Sequence, residues 1–291
     1  MVQISNPNRT NTDHSCIDYA VPPLALNHPP MFELFTALML GILEGITEFL
    51  PVSSTGHLLI AEHWLGSRSD FFNIVIQAGA ILAITFVFRK KVWSLATGLD
   101  KYSNRDYVMK LATAFLITAV VGLAVRKANW QLPETIQPIA WALIIGGIWI
   151  LIAESVAKHL PERENVTWSV AIAVGLAQVV AGVFPGTSRS ASTIFLAMLL
   201  GLSKRSAAAE FSFLVGIPTM FSASSYACFE LFKRGELLHE NWLEVSVAFV
   251  AAMLTGFAVV KWLLGYIKNH SFAPFAYYRI ALGLVLLTWL T

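Results

Sequence analysis

The sequence predicts an all-α polytopic membrane protein, with six transmembrane helices and two re-entrant broken helix pairs related by an inverted-topology repeat. Three observations predict it. The chain is 56% hydrophobic and only 13% charged, with a mean hydropathy of +0.63, outside the range of a soluble globular domain. Apolar runs long enough to span a bilayer recur, most of them closed by short clusters of Lys and Arg. Two further apolar runs break at Pro51 and Pro185, and each break leads through a hydroxyl-rich stretch into a short apolar piece. The formal net charge of +2 is too small to indicate a nucleic-acid partner. The two cysteines, Cys16 and Cys228, support neither a disulfide framework nor a thiolate metal site.

Residues 1–30 are polar, contain Pro22-Pro23 and Pro29-Pro30, and lack the apolar core of a cleaved signal peptide. They are expected to form a flexible tail, and Met31 offers an alternative start. Residues 31–291 form a single integral membrane domain, with repeat 1 at about 32–153 and repeat 2 at about 168–290. The first run, Phe32 to Leu50, carries Glu44 and Glu48 and stops at Pro51; Leu58 to Leu65 then leads back out. Spans follow at about 71–88, closed by Arg89-Lys90-Lys91, at about 107–125, closed by Arg126-Lys127, and at about 136–153, closed by a charged loop through Glu164. The second broken run, about 168–184, ends at Pro185-Gly186-Thr187-Ser188-Arg189-Ser190 and continues as Thr193 to Leu202. Three more spans follow at about 208–229, 243–265 and 272–290.

A constant offset of 134 pairs Gly41 with Gly175, Glu44 with Gln178, Pro51 with Pro185 and Ser54 with Ser188. Three crossings separate the two breaks, so the second unit enters the membrane from the opposite side. Folds of this plan place their sites near the midplane, where the discontinuous helices meet. Loop charges give the orientation. If the first broken run enters from one side, Arg89, Lys90, Lys91, Lys101, Arg105, Lys110, Lys158, Arg163, Lys204, Arg205 and Lys268 lie on the other. The positive-inside rule makes that other side cytoplasmic and puts both termini outside.

The stretch Glu44-Gly-Ile-Thr-Glu48-Phe-Leu-Pro51-Val-Ser53-Ser54-Thr55-Gly56-His57 concentrates the chemistry. Four residues apart on a helix, Glu44 and Glu48 project from one face. They could hold a hard divalent cation, Mg²⁺ or Ca²⁺, together with water and phosphate oxygens, or divide acid and base roles. Packing between helices is the structural alternative. An acidic residue at the bilayer centre costs about 2.5 to 3.5 kcal/mol, which favours a wet cavity shared with Arg189. Non-helical backbone at that depth is tolerated only where it lines a cavity or is buried in protein. The second break sets a guanidinium among hydroxyls directly before a helix N-terminus, an anion site on physical grounds.

Elsewhere structural readings suffice. Arg279, early in the last span, and Lys261, late in the one before, are expected to snorkel to the cytoplasmic interface. Gly146-Gly147 suits close helix contact. Gln77, within an apolar span, could act as a hydrogen-bonder behind the site, and the remaining histidines show no ligand-like spacing.

At these two motifs the chain resembles the undecaprenyl-diphosphatase family, also called bacitracin-resistance proteins. The resemblance rests on residues 44–57 and on Pro185-Gly-Thr-Ser-Arg-Ser with Thr193, and extends to Gln178, Glu210-Phe-Ser-Phe, Ile217-Pro218-Thr219 and Tyr278-Arg279. It implies hydrolysis of undecaprenyl diphosphate, or of other isoprenyl diphosphates, to the monophosphate. That reaction recycles the lipid carrier of cell-wall synthesis at the outer face of the bacterial plasma membrane. By the same resemblance Glu44 and Glu48 bind metal or move protons, Arg189 grips the diphosphate, and Ser54 with His57 makes the attack. Ser53, Thr55, Gly56, Gly186, Thr187, Ser188, Ser190, Thr193 and Gln178 line the substrate. One departure is Ala191, where the family usually has Gly; Ala suits that position if it lies in a first helical turn.

Phosphoryl transfer needs an in-line nucleophile, charge neutralisation and a stabilised leaving group. Attack by Ser54 with His57 as base, by His57 itself, or by water all remain open on the sequence. A transporter or lipid flippase is the main alternative, because inverted repeats with broken helices also build secondary transporters. A membrane scaffold leaves the three intramembrane charges unexplained. The sequence is compatible with a homodimer and does not specify one.

Overall fold

The structure is a computed structural model, and it describes residues 30–128, 135–235, 237 and 240–289. Residues 1–29, expected as a tail, lie outside the described residues. The described residues form eleven helices and no strand: α1 Pro30–Thr47, α2 Ser54–Leu65, α3 Asp70–Val87, α4 Arg89–Thr97, α5 Tyr102–Lys127, α6 Ile136–Ala157, α7 Trp168–Val183, α8 Arg189–Leu199, α9 Arg205–Lys233, α10 Trp242–Tyr266 and α11 Ala273–Trp289.

Each boundary has a local cause. α1 stops before Pro51, which disfavours helical geometry at Leu50. Ser69, Thr167 and Asn241 cap α3, α7 and α10 by accepting the amides of Phe72, Val170 and Leu243. α9 runs through Pro218. α4 is not foreseen in the sequence, where Arg89-Lys90-Lys91 reads as a loop; Phe88 ends α3 and starts α4 with φ −92° and ψ 11°.

Five helices, α3, α5, α6, α9 and α10, are long and apolar enough to cross a membrane. α11, with 17 residues, is a shorter apolar helix. The outward faces of α5, α6 and α10 keep large apolar side chains exposed, such as Leu116, Val120, Ile145, Ile152 and Leu254. A chain that presents such faces along spanning helices is a multi-pass membrane protein.

The halves meet reciprocally. Gly41 of α1 abuts Ala248 of α10, where a Cβ would strike the Ala248 carbonyl. Gly175 of α7 abuts Ala114 of α5, where a Cβ would stand 2.7 Å from the carbonyl oxygen. Both glycines and both alanines are related by the offset of 134. Gly147 of α6 likewise faces Ala276 and Ile280 of α11, while Gly283 of α11 faces Ala140 and Ile144 of α6. Contacts that exchange partners in this way are those a two-fold relation generates, and glycine at each lets the backbones approach closely.

The two short helices are not equivalent in burial. α8 is packed into the main core, with Ala191, Ile194, Phe195, Ala197 and Met198 at 2% exposure or less. Of α2, only Gly56 is buried. The break carrying Arg189 is therefore held more rigidly than the break carrying the serines. A bidentate pair, half-buried Arg205 to buried Glu154 at 2.8 and 2.6 Å, joins α9 to α6, and Glu154 also accepts the Phe272 amide ahead of α11. Arg68 ties the α2–α3 connection to Glu33 of α1 at 2.8 Å and Glu244 of α10 at 2.7 Å.

Candidate active site

Each break turns the chain through one strained serine. Ser53 has φ 75° and Ser188 has φ 69°, and among the described residues these are the only non-glycine residues with positive φ. Conformations of this kind cost of order 1–3 kcal/mol and cluster at functional sites. Each serine is the N-cap of its short helix: Ser53 Oγ accepts the Gly56 amide and Ser188 Oγ accepts the Ala191 amide. His57 Nδ1 and Ser192 Oγ then donate to the carbonyls of Ser53 and Ser188, at 2.7 and 2.9 Å. The structural equivalents at the breaks are thus Ser53 with Ser188, Ser54 with Arg189, Gly56 with Ala191 and His57 with Ser192.

That register corrects the pairing of Ser54 with Ser188 drawn from the constant offset, because the two breaks differ by one residue between Pro and cap. Ala191 lies in the first turn of α8, so its Cβ meets no φ requirement. Gly186 has φ 87°, and a Cβ there would stand 3.0 Å from Ile139 Cα. Only glycine satisfies both conditions.

The breaks converge on Glu48. Its Oε2 accepts from Ser54 Oγ at 2.6 Å and its Oε1 accepts from Arg189 at 3.3 Å. Ser190 Oγ bridges the breaks a second time, donating to the Leu50 carbonyl at 3.0 Å. Glu48 has 5% of its side chain exposed and Arg189 29%, so the pair is screened from solvent on the carboxylate side and open on the guanidinium side. Beside them lies a cleft whose polar wall is Glu48, Arg189, Ser190, Thr193 and Ser212 and whose apolar wall includes Phe49, Ile84, Phe213 and Met220.

His57 is positioned by α11. Its Nδ1 faces a carbonyl, which only accepts, so Nδ1 carries a proton; in the neutral ring Nε2 then accepts the Tyr278 hydroxyl at 2.7 Å. The imidazole and phenol rings stack at 15°. With both nitrogens engaged by Ser53 and Tyr278, the hydroxyl of Ser54 is bonded to Glu48 and not to His57.

Arg279 overturns the expectation that it snorkels. Its side chain is fully buried and donates to the carbonyls of Pro51 in the first break and Gly186 and Thr187 in the second, each at 3.1 Å. It also reaches Ala142 and Leu143 of α6. Breaks at Pro51 and Gly186 leave carbonyls without intrahelical donors, and one planar guanidinium with five N–H groups satisfies them. Gly146 makes room for it, since a Cβ there would overlap the guanidinium. Tyr278 and Arg279 stand at the breaks, whereas the sequence reading had them only within the resemblance and gave neither a place at the site. The available signal was an Arg next to a Tyr inside an apolar span, with a glycine pair to receive it.

Other expected residues are placed differently. Glu44 is 1% exposed and its Oε2 has no hydrogen-bond partner. Gln178, its offset partner, donates to Thr118 of α5 at 3.0 Å, while its own Oε1 is buried without a partner. Thr193 spends its proton on the Arg189 carbonyl at 2.8 Å, and Ser188 Oγ lies 3.0 Å from Ser190 Oγ. Thr187 contributes its carbonyl to Arg279. Thr55, half-buried, begins α2 beside Ser54. Among the described residues no group of three or more His, Cys, Asp or Glu converges as a metal site. The unpartnered buried carboxylate oxygen of Glu44 nevertheless fits a cation bound through one or two carboxylates and completed by phosphate oxygens.

The family described as bacitracin resistance protein BacA matches residues 37–285. The chain belongs to the BacA family. Both breaks, Tyr278 and Arg279 lie inside the matched stretch. A Xanthomonas campestris pv. campestris (strain 8004) protein named undecaprenyl-diphosphatase is 74% identical over 260 residues, 89% of this chain and 99% of the relative. Relatives of the same name from Xanthomonas oryzae pv. oryzae (strain PXO99A) and Stenotrophomonas maltophilia (strain R551-3) are 72% and 70% identical, each over 89% of this chain and 98% of the relative. Within the matched stretch, Glu48 is hydrogen-bonded to both Ser54 and Arg189.

Proposed function

We propose that this chain hydrolyses undecaprenyl diphosphate to undecaprenyl phosphate and inorganic phosphate at the outer face of the bacterial plasma membrane, recycling the lipid carrier for cell-wall synthesis. The observation that carries it is the sharing of Glu48 between Ser54 and Arg189, which sets a nucleophile, its base and an anion grip on one carboxylate. A flippase of isoprenyl phosphate lipids would need the grip alone.

In this reading the diphosphate enters the cleft and draws Arg189 toward its oxygens, while the isoprenyl chain follows the apolar wall of Phe49, Phe213 and Met220. Ser54 Oγ attacks the terminal phosphorus and passes its proton to Glu48, to which it already donates. The bond between that phosphorus and the bridging oxygen breaks, and undecaprenyl phosphate leaves. Glu48 returns that proton to the departing phosphate and then deprotonates a water that attacks the phosphorylated Ser54; the Oγ–P bond breaks, Oγ takes the proton back, and inorganic phosphate leaves. His57 and Tyr278 hold the start of α2 against α11, and Arg279 fixes the distance between the breaks. Glu44 and Glu48 would hold a divalent cation, Mg²⁺ or Ca²⁺, which would neutralise phosphate charge.

Six crossings, with α11 as the sixth, and re-entrant α1–α2 and α7–α8 pairs account for the reciprocal helix contacts. The loop charges support opening of the first break to the outer side. The direct test is phosphate release from a long-chain isoprenyl diphosphate by purified protein, with Ser54→Ala, Glu48→Gln and Arg189→Ala alongside. Full activity in all three variants would sink the assignment, and lipid translocation without phosphate release would favour the flippase.

A further inference from the structure

Ser212 of α9 lines the same cleft as Glu48 and Arg189, is 4% exposed, and its Oγ has no hydrogen-bond partner. A hydroxyl within a helix ordinarily donates to the carbonyl four residues earlier, as Thr85, Thr118, Thr219 and Thr255 do. Ser212 Oγ makes no such bond. Of the other hydroxyls on the cleft wall, Ser190 donates to Leu50 and Thr193 to Arg189. Ser212 therefore brings an uncommitted proton to a wall that otherwise offers Arg189 as its anion-binding group. A buried hydroxyl without a partner is unfavourable, and here what fills the cleft can supply the acceptor.

One turn further along α9, Gly216 lines the same cleft. It is buried, yet no heavy atom lies within 4 Å of where its Cβ would stand. Open space thus adjoins α9 directly beyond Ser212, toward Met220.

We propose that Ser212 is a substrate-binding residue, its Oγ–H donating to a phosphate oxygen of the isoprenyl diphosphate, with Gly216 leaving the room that the bound group occupies. This rests on the phosphatase reading above. Ser212 is distinct in role from Ser54: it makes and breaks no bond, and contributes to ground-state binding.

Ser224 provides an internal control. It is also buried on α9, at 8% exposure, with an unpartnered Oγ, but does not line the cleft. The experiment uses the full chain in detergent, a long-chain isoprenyl diphosphate as substrate, and its methylene-bridged analogue as a non-hydrolysable probe. Hydrogen bonds to charged groups correspond to roughly 10-fold or more in affinity, so Ser212→Ala is expected to raise KM about 10-fold with kcat within about three-fold. The stabilisation that the analogue confers on thermal unfolding should shrink with it. Without ligand, Ser212→Ala should unfold at or above the wild-type temperature, because it removes an unpaired hydroxyl. Gly216→Leu should raise KM while keeping the unfolding temperature, and Ser224→Ala should leave KM unchanged. Wild-type KM and analogue response in both Ser212→Ala and Gly216→Leu would overturn the inference while leaving the phosphatase reading intact. A wild-type protein that neither releases phosphate nor responds to the analogue would overturn both.

Discussion

Arg279 donates to the Pro51 carbonyl at 3.1 Å across 228 positions of chain, and the same guanidinium reaches Gly186 and Thr187. The spacing of the two breaks, and with it the approach of Ser54 and Arg189 to Glu48, is thus held by a side chain whose hydrogen bonds go to Pro51, Ala142, Leu143, Gly186 and Thr187. Among the described residues Arg279 forms no ion pair; backbone dipoles alone compensate its charge.

Replacing Arg279 with Lys keeps the charge but exchanges a planar five-donor fork for a compact ammonium with three donors. Arg279→Lys is expected to lower stability by about 2–4 kcal/mol, read as a lower unfolding temperature in detergent, and to lower kcat at least about 10-fold at a temperature where the protein is folded. Wild-type kcat with reduced stability would restrict Arg279 to folding.

Removing the nucleophile should be far more severe. Ser54→Ala is expected to lower kcat by about three orders of magnitude with its unfolding temperature nearly unchanged. Reactions quenched in parallel in acid, which preserves phosphoserine, and in alkali, which preserves phosphohistidine, with an isoprenyl diphosphate labelled on the terminal phosphate should leave acid-stable label on the wild type at Ser54 and none on the variant. Label found on His57 instead would transfer the nucleophile's role to that residue.

Glu48→Gln keeps the size of the side chain and removes its basicity, so kcat should fall about 10²- to 10⁴-fold. Arg189→Lys, which keeps the charge but loses the planar fork able to hold a phosphate through two donors, should act mainly on KM. Steady-state kinetics of the two variants separate the base from the grip; identical effects on both constants would argue against dividing those roles.

Tyr278→Phe deletes the hydroxyl at His57 Nε2 and keeps the stacked ring. A loss of about five- to twenty-fold in kcat is expected, and adding His57→Asn should cost less than the product of the two single effects, because both act on one contact. Simple multiplication of the two losses would show that the contact carries no coupling.

If Glu44 and Glu48 hold a divalent cation, chelator should abolish phosphate release and Mg²⁺ or Ca²⁺ restore it. Glu44→Gln should then raise the concentration needed for half-restoration by about 10-fold or more. Full activity in chelator would assign Glu44 a role in proton transfer or packing instead.

The sequence by itself determined the helical membrane character, every apolar span to within a few residues, both breaks and the residue types at them. Those follow from local chemistry: hydropathy sets length, Pro51 and Pro185 stop helices, and Ser53 and Ser188 restart them. Partner choice came only with the tertiary structure. Ser54 and His57 look like a pair at three residues' spacing, yet the strained φ of Ser53 turns α2 so that Ser54 meets Glu48 while His57 meets Tyr278. Arg279 looks like an interface anchor in a one-dimensional reading, because nothing near it in sequence is polar enough to hold it. Its partners are carbonyls that exist as free acceptors only where two distant helices have been broken, and a backbone oxygen freed by a break leaves no mark in the identity of the residue that carries it.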